Sequence, residues 1–156
     1  MRAIGIIIVL ISGVAGSFLV VSEFEKRLSN TRALCKLLRV CTEQVEYFSC
    51  SSHEILANCD ALLLRECGYL DEEIPNDFSE FLDRCEILSN ESRAIMIEFA
   101  KDFGKSYKDE QVKRCKYYLE KMEEHESELE ATLPTQRKLS FAILLAATLT
   151  AIILLI

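Results

Sequence analysis

The fold class this sequence predicts is all-α: a bundle of about five helices flanked by one transmembrane helix at each end. Three observations predict it. Two long apolar runs without a charge stand at the ends of the chain, residues 3–21 and 139–156. Between them the chain holds only two glycines, Gly68 and Gly104, and two prolines, Pro75 and Pro134. Nothing in that stretch alternates with the period of a strand, and it has no Asn-Gly or Asp-Gly hairpin turn.

The first run, AIGIIIVLISGVAGSFLVV, is 19 residues long and the second, LSFAILLAATLTAIILLI, is 18. At about 1.5 Å per helical residue each reaches about 27–28 Å, close to the roughly 30 Å of a bilayer's hydrocarbon core. The expected domains are a transmembrane anchor over 1–22, a cytoplasmic helical domain over 23–138 and a C-terminal transmembrane helix over 139–156. A cleaved signal peptide is the alternative for the first run, with Gly13 and Ala15 as the small residues before the cut. The lone basic Arg2, and apolar residues continuing through Phe18, Leu19, Val20 and Val21, favour an uncleaved anchor. Ser12 and Gly16, Gly13 and Ser17, and the alanines 142, 146, 147 and 151 give both spans small-residue sides. These sides suit close helix packing, within the chain or in a homo-oligomer.

Periodicity sets the helices between the runs. Leu34, Leu38, Cys41, Val45 and Phe48 make one apolar stripe, predicting a helix over about 24–48. A second helix, capped by Ser51 or Ser52, is expected to run to Cys67, with Ile55, Leu56, Cys59, Leu62 and Leu63 inward and Gly68 as its stop. Asn76 or Asp77 caps a short third helix that buries Phe78, Phe81, Leu82 and Cys85. Ser89 or Asn90 caps a fourth, with Ile95, Phe99 and Phe103 on its face and Gly104 at its end. The fifth is expected over about 109–133. Val112, Cys115, Leu119, Met122, Leu129 and Leu133 form a heptad seam there, interrupted by Glu126. That seam is expected to face its own bundle, and Pro134 to separate the helix from the last span, either as a kink or as an early-turn proline of the membrane helix.

Charge gives the orientation. Lys26, Arg27, Arg32, Lys36 and Arg39 follow the first run and Arg137 and Lys138 precede the second, which predicts a cytoplasmic middle segment with both termini across the membrane. That segment holds all 25 acidic residues and 17 of the 18 basic ones, a net charge of −8. Such a balance repels phosphate backbones, so nucleic acid is excluded as a partner, while the basic clusters sit where anionic lipid headgroups lie. Seven cysteines, an odd number placed on apolar helix faces, suit packing in a reducing compartment better than a disulfide framework.

No catalytic, cofactor or metal site emerges. Gly104, Lys105 and Ser106 imitate the end of a phosphate loop, but the first glycine of that motif is replaced by Phe99 and the segment follows a helix, not a strand. Gly104 reads instead as a helix stop. No cysteine pair has Cys-x2-Cys spacing, and His53 and His125 lie far apart. His125, among Glu123, Glu124, Glu126 and Glu128, reads as part of a solvated face.

The order of these elements resembles the stage III sporulation protein AB family of endospore-forming bacteria. Two blocks carry the likeness: residues 31–57, TRALCKLLRVCTEQVEYFSCSSHEILA, and the Phe-Gly helix end and linker of residues 99–111, FAKDFGKSYKDEQ. The chain departs from the family pattern at Gln44, at Tyr107, in the alanines of the last span and at Pro134. The resemblance implies a non-enzymatic membrane scaffold in the channel complex between mother cell and forespore. It would be related to the platform proteins of type II secretion and type IV pilus systems. It also implies partners among the complex's other subunits, including its cytoplasmic ATPase, and a place on the mother-cell side of the membrane around the forespore. Two other readings stay open: a cysteine-based redox or metal-responsive membrane sensor, and a generic membrane-anchored interaction protein.

Overall fold

In a computed structural model, the backbone is described for residues 2–86 and 89–155, and the side chains for residues 20–86, 89–147, 149 and 150. Six helices form among the described residues: α1 (Arg2–Phe48), α2 (Ser52–Asn58), α3 (Ala61–Glu66), α4 (Phe78–Arg84), α5 (Asn90–Asp102) and α6 (Lys108–Leu155). There is no strand among them, only one isolated antiparallel bridge between Tyr69 and Cys85.

The chain divides into two compact units, Met1–Lys26 with Leu129–Ile156, and Arg27–Glu128. The first brings the two ends of the chain together, and Arg137 ion-pairs with Glu25 across it. Among the described residues no helix is long and apolar enough to cross a membrane. The side chains of the first predicted span lie outside the described ones up to residue 19, as do those of the second at 148 and from 151 onward. Pro134 does not open a separate membrane helix: it lies inside α6, which continues past it. Its missing N–H is one donor in a 48-residue helix whose turns on either side hold the path.

The second unit owes its core to α1, α4, α5 and the first part of α6. Leu34, Leu37, Leu38 and Cys41 from α1 meet Phe78, Phe81, Met96, Phe99 and Met122 in one buried cluster. Phe78, Phe99 and Phe103 pack edge to face with ring centres 4.9–5.4 Å apart, the arrangement in which ring edges meet negative ring faces. The first part of the α6 seam faces this core, with Cys115 and Met122 fully buried and Val112 and Leu119 packed against it, whereas Leu129 and Leu133 belong to the first unit.

Caps fix the short helices. Ser51 and Glu54 form a reciprocal capping box at α2, Asp77 accepts from Ser79 and Glu80 at α4, and Ser89 accepts from Ser92 at α5. The single second helix expected to reach Cys67 is in fact two. The Asp60 carboxylate accepts the Leu62 N–H at 2.9 Å and starts α3 afresh, a side chain competing with the helical ladder. The turn rotates Leu62 outward, so it is exposed while Leu64 takes the buried place. Phe48, expected inward, is also exposed because α1 ends there and Ser49 turns the chain with φ 54°.

Candidate functional site

Two features of the second unit use side chains that the core does not require. The first is a cleft of about 300 Å³ where the end of α1 meets the α5–α6 connection, lined by Cys50, Ser52, Phe103, Gly104, Ser106 and Gln111. Gly104 stands there with φ 78°, and its N–H donates to Gln111 Oε1 at 3.0 Å. The amide that a phosphate would need is therefore already engaged. Exposed aromatics occupy the ends of the segments that form this cleft: Tyr47 and Phe48 at the end of α1, and Tyr107, 94% exposed, before α6.

The second is a chain of polar side chains through the interior, ending at His125. Thr31 Oγ1 donates to the Arg27 carbonyl at 2.9 Å and lies 3.0 Å from Ser92 Oγ. Ser89 Oγ lies 2.8 Å from Ser92 Oγ and 3.3 Å from His125 Nε2. Each hydroxyl has one hydrogen, so one arrangement alone satisfies every contact. Thr31 donates to Arg27, Ser92 to Thr31, Ser89 to Ser92, and His125 Nε2–H to Ser89. In the neutral ring Nδ1 then keeps its lone pair. That nitrogen is buried with no hydrogen-bond partner, 3.4 Å from Glu91 Oε2 and 4.0 Å from Glu128 Oε2.

His125 is thus not part of a solvated face. It is 7% exposed, because α5 docks its capped first turn over the ring. Periodicity within one segment cannot show this. The usable signal was Ser89-x-x-Ser92, a cap followed by a second hydroxyl on the inward side. A groove of about 370 Å³ opens beside the ring, lined by Glu91, Ala94, Lys121, Glu124 and Glu128. Glu91, His125 and Glu128 bring one potential ligand atom each within 4.8 Å of one another.

The remaining candidates are placed by packing. Glu126, the polar intruder in the seam, accepts from Arg32 Nε at 3.1 Å and lies beside Cys35. All seven cysteines are free thiols, and five are buried. Burial pushes Cys35 and Cys85 up to about 12 and Cys59 and Cys115 up to about 11, with the Glu126 carboxylate adding to the rise at Cys35. Cys41 and Cys67 are raised well above the ordinary thiol value by the same desolvation. Thiols held this far from ionisation are poor nucleophiles, so these six suit packing better than redox chemistry. His53, an exposed residue of α2, meets the Pro75 carbonyl at 3.2 Å and has no part in the His125 cluster.

These features define a class: a small all-α protein with an aromatic-edged cleft and one internal polar chain. The chain belongs to the stage III sporulation protein AB family, which matches it over residues 2–156. This is not a known enzyme family, and it assigns the chain to stage III of sporulation. No curated protein and no solved structure matches it.

Proposed function

We propose that the chain is a non-enzymatic membrane platform of the channel complex between mother cell and forespore, with its second unit in the mother-cell cytoplasm. Family membership over nearly the whole length carries this reading. Three features support it. The two ends of the chain gather in one unit, as expected of two anchors that pack together in one leaflet. Along α6 in that unit, Leu139, Phe141, Ile143, Leu145 and Leu149 are each more than half exposed, an apolar surface suited to lipid and costly in water. Basic residues flank both apolar runs on their inner ends in the sequence, at Lys26 and Arg27 and at Arg137 and Lys138.

The cytoplasmic ATPase of the complex is the partner proposed for the cleft at the end of α1, whose flanking segments carry the exposed Tyr47, Phe48 and Tyr107. Exposed aromatics concentrate contact energy at interfaces with little loss of side-chain freedom. A photo-crosslinking amino acid at position 107 tests this in sporulating cells. An adduct containing the ATPase is expected. A crosslinker that joins no subunit of the complex, while the variant still supports sporulation, contradicts it.

A further inference from the structure

We propose that Glu91, His125 and Glu128 form a binding site for a single divalent first-row cation, with zinc the best-fitting ion. The site would tie the first turn of α5 to α6.

The argument starts from a mismatch of charge. The hydroxyl chain from Thr31 through Ser92 and Ser89 consumes the Nε2–H of His125 and leaves the Nδ1 lone pair of the neutral ring on the side of Glu91 and Glu128. Nδ1 is out of contact with water and has no hydrogen-bond partner. Beside it lie two more acceptors, Glu91 Oε2 at 3.4 Å and Glu128 Oε2 at 4.0 Å. Three potential ligand atoms thus converge within 4.8 Å of one another, two of them carrying formal negative charge, an arrangement that a cation can bridge. Lys121 also lines the groove, but its ammonium pairs with Glu98 at 3.0 Å. Glu124 on the same rim adds another acid.

The spacing suits a metal. Ligand atoms about 2.0–2.2 Å from a tetrahedral zinc stand about 3.3–3.6 Å apart. The Nδ1–Glu91 distance of 3.4 Å is already in that range. Glu128 needs only a small rotation of a carboxylate whose side chain is 67% exposed. One imidazole nitrogen and two carboxylates suit zinc and its neighbours, whereas calcium takes six to eight oxygens. The second ring nitrogen, bonded to Ser89, supplies the outer support that metal-binding histidines commonly have. Three protein ligands leave the fourth position for water or for a partner's side chain.

The site does not depend on the membrane reading. Zinc titration of the chelator-stripped full chain in detergent tests it, followed by competition with a chromogenic chelator and by thermal shift. The comparison is with Glu91→Gln/Glu128→Gln, whose exposed positions leave the core untouched. One zinc per chain is expected, raising the melting temperature. The double variant is expected to weaken binding at least as much as the about 10–100-fold lost with an outer-shell partner. Cobalt substitution adds a spectroscopic check, since nitrogen and oxygen ligation gives no thiolate charge-transfer band. Failure to bind zinc overturns the proposal. Undiminished binding by the double variant, or a thiolate band, overturns it by moving the metal to the cysteines.

Discussion

Thr31 and Ser92 offer the sharpest test of the internal polar chain. Both are 1% exposed, so neither hydroxyl can turn to water. Thr31→Val keeps the side-chain shape but removes the acceptor of the Ser92 hydrogen. A buried donor left without a partner costs about 1–3 kcal/mol. Ser92→Ala removes that donor and leaves Ser89 to seek water from its half-buried position, at a cost of about 1 kcal/mol. In the double variant the stranded donor no longer exists. Its cost should therefore fall short of the sum of the singles by about 1–2 kcal/mol, well above the 0.3–0.5 kcal/mol scatter of independent sites. Thermal unfolding of the four full-length chains in mild detergent, followed by circular dichroism, reads this directly. Each kcal/mol corresponds to about 4 °C for a unit of this size. Additive effects within the scatter would refute the assigned direction of the hydroxyl chain, and with it the lone pair assigned to His125 Nδ1.

Three further predictions concern the same unit. Gly104→Ala should destabilise by about 1–2 kcal/mol through its backbone alone, because φ is 78° and nothing lies within 4 Å of an added Cβ. The converse holds at Ser49, a non-glycine residue with φ 54°, where Ser49→Gly should raise the melting temperature by stabilising the turn by about 1 kcal/mol. Alkaline pH should destabilise the fold by linkage at the buried thiols. Their folded values of about 11 to 12 exceed the ordinary 9.0, so their contribution is complete below pH 9 and is lost as pH rises toward the folded values. A melting temperature that stays flat from pH 8 to 11, with thiol ionisation followed by ultraviolet absorbance, would contradict that burial.

Local signals were legible and cooperative ones were not. Asp77 and Ser89 cap the helices their positions announce, because a cap bond spans only two or three residues. The inward faces of α4 and α6 follow from spacing alone, as Phe78, Phe81, Cys115 and Met122 show. The break at Asp60 was hidden because a carboxylate one residue past Cys59 reads equally well as a solvated helix residue or as a new cap. His125 was hidden for a different reason. Its glutamate neighbours in sequence suggest water, but its neighbours in space, Ser89 and Glu91, come from another helix. A heptad pattern states which face of a helix is apolar; it does not state which polar residue a docking helix will cover.

The membrane platform itself is tested most directly by Lys105→Cys, an exposed position beside Gly104. The assay is labelling in intact sporulating cells with a membrane-impermeant maleimide, followed by carbonate extraction of the membranes. The native thiols are mostly buried and serve as a slow-reacting background. The expected result is a chain that stays in the extracted membranes and labels at position 105 only after permeabilisation. Labelling of intact cells, or release of the chain by carbonate, would contradict the arrangement.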